Sequence, residues 1–283
     1  MSEAKLSVTF IQFSPFWGKP AENQAHLNTL LAQTLSSKTD LIVLPEAFST
    51  GFVVSNEDYE LAENLRDHGN SFEWLKKKAA QYGCAICGSI IHRTGSGKRA
   101  NTFFWATPTG GALSLDKRHL FTLGGEKADI QPESHAFRRG NKRVIIQYKG
   151  FDISPLICYD LRFPVWCRNP IGKAVDILIF VANWPEHRIE AWNTLLRARA
   201  IENQCFVIGV NRTGSEPNGI KYIGNSAVYN PLGTSLLAAN NQDKTYSITI
   251  EKNNLTEFRN RFPFQQDADE FLLPDQEVEH LIG

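Results

Sequence analysis

This sequence has no net charge. Its 30 lysines and arginines cancel its 30 aspartates and glutamates, whereas a protein built around nucleic acid or an anionic membrane surface carries a basic excess. Neither partner is therefore expected. Long apolar runs are also missing: nothing approaches the roughly 20 residues that cross a bilayer. Met1-Ser2-Glu3-Ala4-Lys5 passes straight into a β-like stretch, Leu6 to Phe13, without the apolar segment of a secretory signal. Cysteine is sparse, at positions 84, 87, 158, 167 and 205 of 283, too few and too unevenly spaced for a secreted disulfide scaffold. These absences predict a cytoplasmic protein with reduced thiols, each either a small core hydrophobe or a reactive group.

No Pro/Ser-rich linker, low-complexity tract or fixed-period repeat marks a domain boundary. One domain is expected over residues 1–265, followed by an acidic C-terminal arm over 266–283. From Phe264 onward there are six acids and no lysine or arginine. That arm is expected to be solvated, with Phe271, Leu272 and Leu273 available to a partner subunit.

What the sequence does have is ordinary globular composition, 42% hydrophobic and 21% charged, arranged in short runs of Val, Ile, Leu and Phe. They recur from Leu6 to Ile250, far too often for a helical protein. Two helices stand out between them. Asn70 can cap one, with Glu73 three residues on and Phe72, Leu75, Ala79 and Tyr82 on one face. Ile189, Trp192, Leu196 and Ala200 repeat the pattern in a second, ending near Asn203. Gly95-Ser96-Gly97, Lys149-Gly150 and Pro231-Leu232-Gly233 carry turn chemistry between apolar runs, which predicts antiparallel hairpins mixed with helical crossovers. The class is α/β.

Three apolar runs end in a reactive side chain. Leu41 to Leu44 leads to Pro45-Glu46, Leu113 to Leu115 leads to Asp116-Lys117, and Ile153 to Ile157 leads to Cys158. Ligands bind at the carboxyl ends of strands in α/β sheets, so the three can converge on one pocket. A thiol is mostly protonated at neutral pH and needs a base or a nearby cation to attack carbon; Glu46 offers the first and Lys117 the second. The Tyr159 N–H, just past a break from strand to turn, would stand with the Lys117 ammonium as an oxyanion hole. Residue class alone does not choose between this chemistry and an inert core thiol, a loop carboxylate and a solvated charge run.

Longer segments around these residues resemble the nitrilase superfamily of carbon–nitrogen hydrolases. Leu-Pro-Glu-Ala-Phe at 44–48, Asp-Lys-Arg-His-Leu-Phe at 116–121 and Cys-Tyr-Asp-Leu-Arg-Phe-Pro at 158–164 resemble its three signature segments, in order. Val-Ala-Asn-Trp-Pro at 181–185, Arg-Ala-Arg-Ala-Ile-Glu-Asn-Gln at 197–204 and Gly-Asn-Ser at 224–226 extend the likeness over nearly the whole chain. The resemblance implies a four-layer α-β-β-α sandwich and a homodimer. It also implies a second glutamate ahead of the nucleophile strand, for which Glu133, seven residues before Gly140, competes with Glu126. Within the family, Cys-Tyr-Asp-Leu-Arg-Phe-Pro-Val-Trp, Val-Ala-Asn-Trp-Pro and Gln-Asp-Ala-Asp-Glu-Phe are most similar to bacterial omega-amidases. That implies hydrolysis of the terminal amide of 2-oxoglutaramate and 2-oxosuccinamate through a cysteine thioester, with no metal or organic cofactor. Nitrilases, N-carbamoyl amine hydrolases, formamidases and deaminated glutathione amidases remain alternatives within the superfamily.

For the substrate's distal end, Arg162 is near the nucleophile but is expected to pair with Asp160. Asn183 and Trp184, at the end of another strand, are expected to line the pocket with Tyr159. Two competing constellations are present. His119 suggests a Cys–His pair, and Cys84-Ala85-Ile86-Cys87 has the spacing of a redox dithiol, but at the start of a β run rather than opening a helix.

Overall fold

The computed structural model describes residues 4–32, 38–122, 133–168, 175–269, 271, 273 and 277–282. Two large sheets dominate. The first contains β1 (Lys5–Gln12), β2 (Leu41–Val43), β3 (Ala85–Arg93), β4 (Arg99–Ala106), β5 (Ala112–Asp116) and β14 (Lys244–Glu251), in the order β14-β1-β2-β3-β4-β5. The second contains β6 (Lys142–Tyr148), β7 (Phe151–Ile157), β8 (Ile177–Ala182), β9 (Phe206–Asn211), β12 (Ala227–Tyr229), β13 (Ser235–Ala238) and β15 (Glu277–Ile282), in the order β13-β12-β9-β8-β7-β6-β15. A separate hairpin joins β10 (Thr213–Ser215) to β11 (Lys221–Ile223).

Alternation along the strands explains the layering. Val8, Phe10, Phe103 and Trp105 of the first sheet meet Ile146, Ile153, Ile157 and Ile179 of the second in a core between the sheets. The opposite faces take helices. Ile11, Ile42, Ile86 and Phe104 pack with α1 (Pro20–Ala32) and α2 (Ser71–Tyr82), while Leu156, Leu178, Phe180 and Val207 pack with α5 (Ile189–Asn203). Each side chain of this kind contributes roughly 1.5–3 kcal/mol when fully buried. The result is the expected four-layer α-β-β-α sandwich. Shorter helices are α3 (Glu133–Ala136), α4 (Pro164–Cys167) and α6 (Lys252–Arg261). No helix among the described residues is long and apolar enough to cross a membrane.

Local signals are realised at the expected places. Asn70 Oδ1 accepts the Glu73 N–H at 3.0 Å and caps α2. Each of the three turn segments joins an antiparallel pair, β3–β4, β6–β7 and β12–β13. At Lys149-Gly150 both residues have positive φ, 51° and 83°, the geometry of a tight two-residue hairpin. The acidic arm differs from expectation. Its end forms β15, which pairs parallel with β6 from Glu277 opposite Lys142 to Ile282 opposite Gln147. Leu273 packs against the second sheet's helix-side core, while Phe271 is exposed. Val278 stands between Glu277 and Glu279, ahead of Leu281 and Ile282, a short β pattern that the charge count concealed.

Strand direction positions the site. β1, β2, β3 and β5 run parallel to one another in the first sheet, as do β7, β8 and β9 in the second. The carboxyl ends of β2, β5, β7 and β8 are followed by Glu46, Lys117, Cys158 and Asn183 respectively.

Candidate active site

Glu46, Lys117 and Glu133 form a connected buried cluster, at 0%, 1% and 0% exposure. Lys117 Nζ donates to Glu46 Oε1 at 3.0 Å and to Glu133 at 2.9 Å (Oε2) and 3.1 Å (Oε1). Glu46 Oε1 also accepts from Asn101 Nδ2 at 2.8 Å, and Oε2 accepts the Asn183 N–H at 2.7 Å. The Asn183 amide donates to the Glu46 carbonyl at 3.1 Å, so the two sheets are tied together at the base of the site. Glu133 Oε2 takes the Phe121 N–H at 2.6 Å. Every contact of the Glu133 carboxylate brings a donor to it, which its ionised form satisfies.

Glycine has a physical reason here. A Cβ on Gly140 would lie 2.2 Å from the Asp116 carbonyl oxygen, and the Gly140 N–H donates to the Lys117 carbonyl at 2.9 Å. Only the absence of a side chain lets the segment after Glu133 lie against the end of β5.

One cation faces two carboxylates. Burial alone would lower the Lys117 pKa, but Glu133 and Glu46 outweigh it and hold the ammonium well above its ordinary value. Burial and the charge of Glu46 push Glu133 up from 4.5 against the opposing pull of Lys117. The Cys158 thiol is driven well above 9, first by burial and then by the Glu46 carboxylate, with Lys117 opposing. A thiolate would place a second uncompensated negative charge in the same enclosure. The resting pair is thus a neutral thiol beside a carboxylate that can take its proton.

Cys158 sits where β7 breaks into a 3-10 turn over Cys158–Arg162, at φ +43°. A non-glycine residue in this region costs roughly 1–3 kcal/mol and is held by its surroundings. Asp160 supplies the hold. Its Oδ2 accepts the Ile157 N–H at 3.0 Å, and its Oδ1 accepts the His119 N–H at 3.0 Å and faces His119 Nδ1 at 2.8 Å. One carboxylate therefore fastens the cysteine turn to the segment carrying Lys117. The Cys158 thiol points to the Asn183 carbonyl, Sγ to O 3.8 Å.

One expectation is corrected by this geometry, and a competing constellation is set aside. Asp160 does not pair with Arg162, because its oxygens are taken by Ile157 and His119; the Arg162 guanidinium instead lies 4.9 Å over the Trp184 ring. His119 is bound to Asp160 and stacked on Phe163 at 3.8 Å, an arrangement that serves the turn and not a Cys–His pair. Cys84 and Cys87 face opposite sides of the first sheet, one in the helix-side core and one in the core between the sheets. Burial raises the Cys84 pKa to about 12, which leaves it as packing. Glu126 lies outside the described residues.

A pocket opens above Cys158 and Lys117, lined also by Phe52, Phe121, Tyr159, Arg162, Asn183, Trp184, Pro185, Arg188 and Tyr222. Tyr159, Asn183 and Trp184 are where strand-end reasoning placed them. Arg188, over the Phe121 ring at 5.1 Å, was not foreseen. Among the described residues neither Arg162 nor Arg188 is in an ion pair, so the wall presents two cations to whatever enters. Tyr222 donates to Glu216 at 2.7 Å and is stacked under Arg212 at 4.5 Å. Asn211 was also missed, although it ends β9 as Asn183 follows β8. Its amide joins Trp184 to Gly224, accepting the Trp184 N–H at 2.8 Å and donating to the Trp184 and Gly224 carbonyls. The same strand-end logic would have found it.

The sequence profile described as carbon-nitrogen hydrolase matches residues 7–260. The chain belongs to the carbon-nitrogen hydrolase family. It is 39% identical over 269 residues to Omega-amidase YafV of Escherichia coli (strain K12), covering 95% of this chain and 98% of that one. To 2-oxoglutaramate amidase of Bacillus subtilis (strain 168) it is 34% identical over 265 residues, 93% and 97% of the two chains. The crystal structure of a CN-hydrolase superfamily protein from Xanthomonas campestris, with an arsenic adduct in its active site, superposes with a TM-score of 0.87 at 41% identity, covering 95% and 99%. Saccharomyces cerevisiae Nit3, of the nitrilase superfamily, shares the fold at a TM-score of 0.80 and 22% identity, over 93% and 96%. This carbon-nitrogen hydrolase thus carries the fold of the superfamily that its sequence resembled.

Proposed function

We propose that the protein is an omega-amidase. It would hydrolyse the terminal amide of 2-oxoglutaramate or 2-oxosuccinamate to the 2-oxo dicarboxylate and ammonia through a thioester on Cys158. The observation that carries this reading is a pocket with a thiol and an ammonium at its base, the Glu46 carboxylate buried against that ammonium, and on its wall two guanidiniums that have no ion-pair partner among the described residues. The base suits acyl transfer, the wall suits a substrate with an anionic end, and the relatives' names point the same way.

Glu46 takes the proton of Cys158 as sulfur bonds to the amide carbon. The negative charge passes to the former carbonyl oxygen, stabilised by Lys117 and the Tyr159 N–H. The cluster's total charge is unchanged, as a low-dielectric site requires. Protonated Glu46 then delivers its proton to nitrogen, the carbon–nitrogen bond breaks, and ammonia leaves a thioester. Water, losing a proton to Glu46, attacks the thioester carbon; the carbon–sulfur bond breaks and sulfur regains the proton. Glu133 keeps Lys117 aimed at the oxyanion. Arg162 and Arg188 hold the distal carboxylate.

Intact-mass measurement after mixing with 2-oxoglutaramate tests the chemistry: an acyl adduct is expected on the wild type and absent from Cys158→Ala. Ammonia release that survives Cys158→Ala overturns the mechanism. A panel of ω-amides, nitriles, N-carbamoyl amines and formamide ranked by kcat/KM tests the substrate, and a better N-carbamoyl amine or nitrile overturns that choice. The enzyme is further proposed to be a cytoplasmic homodimer. Exposed Ile201 on α5, packed by Gly233, with Leu232 and Leu236 of the β12–β13 hairpin, supports a self-associating face, and sedimentation at micromolar concentration tests it.

A further inference from the structure

Asn183 is held at three points, and one of its polar atoms is left over. Its N–H donates to Glu46 Oε2 at 2.7 Å, its carbonyl faces Cys158 Sγ at 3.8 Å, and its Nδ2 donates to the Glu46 carbonyl at 3.1 Å. The third bond sets the amide's orientation, because an oxygen placed there would oppose another acceptor. The remaining atom, Oδ1, is buried without a hydrogen-bond partner among the described residues, on a residue only 6% exposed that lines the pocket. Native structures leave few polar atoms in that state, and one beside reactive groups points to a ligand.

The rest of the pocket narrows what that ligand group is. Lys117, Arg162 and Arg188 offer only donors. The Tyr222 proton goes to Glu216. Glu46 already accepts from Lys117, Asn101 and Asn183 and must also receive the Cys158 proton. Asn101 Oδ1 is unpartnered as well, but Asn101 is fully buried and does not line the pocket. A primary amide brings two N–H donors to the carbon that sulfur attacks.

We propose that Asn183 Oδ1 accepts an N–H of the scissile amide and then of the departing ammonia, so that Asn183 selects primary amides over esters and ketones of the same shape. This rests on the omega-amidase reading and adds the role of one atom to it. In an ester the alkoxy oxygen brings lone pairs where Oδ1 expects a hydrogen. A site built to bond an N–H discriminates strongly against an analogue lacking it.

The test compares kcat/KM for 2-oxoglutaramate with that for the 5-methyl ester of 2-oxoglutarate. Asn183→Ala keeps both backbone contacts and removes Oδ1. The amide-to-ester ratio should fall about tenfold, the equivalent of one hydrogen bond of ordinary net strength. Asn183→Asp keeps an acceptor and loses the donor, so both rates should fall while the ratio stays within about threefold. If Asn183 serves only to hold Glu46, both substrates lose equally in both variants, and that result overturns the proposal. A second measurement does not depend on either variant folding. Cys158→Ala, which cannot form the thioester, should bind 2-oxoglutaramate about tenfold tighter than its methyl ketone isostere, and equal affinities overturn the proposal. A wild type that hydrolyses no ω-amide overturns the omega-amidase reading itself, whereas an active wild type with unchanged ratios overturns only the role of Asn183.

Discussion

Replacing Glu133 by glutamine tests whether the buried cluster works by charge. Glu133 Oε2 receives Lys117 at 2.9 Å and the Phe121 N–H at 2.6 Å, and Oε1 receives Lys117 at 3.1 Å. A glutamine oxygen in the Oε2 position keeps two of these contacts, but its NH2 then points at the ammonium. One charge-assisted bond, worth roughly 1.5–3 kcal/mol, becomes a donor facing a donor. The gain from no longer burying a second carboxylate offsets part of this, so a net loss of about 1–2 kcal/mol is expected in urea unfolding. Turnover should suffer more. With one of its two carboxylates neutralised, Lys117 keeps only a weaker bond to the glutamine oxygen and is drawn toward Glu46, away from the oxyanion and against the base, and kcat should fall about 100- to 1,000-fold, the scale of losing one oxyanion donor. The pH dependence has a definite sign. Because the folded-state pKa of Glu133 lies above its reference value of 4.5, its stabilising contribution is complete below about pH 4.5. It is lost as pH rises through the folded value, at up to about 1.4 kcal/mol per pH unit. Glu133→Gln should remove that declining limb. A variant with kcat within threefold of wild type and an unchanged stability–pH profile would refute the charge argument.

Other consequences are open to simple measurement. The Cys158 thiol is raised well above 9 by burial and Glu46, so its alkylation by iodoacetamide should still be accelerating at pH 9; a plateau below pH 8 would reveal a preformed thiolate. Asp160→Ala leaves the N–H groups of Ile157 and His119 without their acceptor, and a stability loss of about 2–4 kcal/mol with a collapse of kcat is expected; near-wild-type unfolding and turnover would contradict its clamping role. Arg162→Met and Arg188→Met should each raise KM for 2-oxoglutaramate on the order of tenfold with kcat within about threefold, while an uncharged amide of similar length is unaffected; equal effects on both substrates would show that the arginines serve packing.

Legibility differed from element to element for physical reasons. α2 announced itself through its Asn70 cap, and α5 through the spacing of Trp192, Leu196 and Ala200. α1 did not, since Pro20 to Ala32 buries only Asn23, Leu27, Leu30 and Leu31, a stripe that opens on a polar residue. The hairpins were readable because turn chemistry is local. β15 was not, because acids crowd a short alternating strand whose partner, β6, lies more than a hundred residues earlier. Arg188 and Tyr222 reach the pocket from the β8–α5 connection and from β11, and nothing in their neighbourhoods marks them.

By itself the sequence determined the α/β class, the family and the candidate reactive groups. Each follows from residue type and local order: an apolar run must end somewhere, and what stands at its end is written in the chain. Only the tertiary structure decided the partnerships. The parallel strands of two sheets place Glu46 and Lys117 on one side and Cys158 and Asn183 on the other, with Glu133 tucked behind Lys117 by the close approach at Gly140. The same packing gave Asp160 to His119 instead of Arg162 and left the Arg162 guanidinium over Trp184 at the pocket wall. Hydrogen bonds and charges act over a few ångströms, and which groups come that close is settled by how the sheets stack.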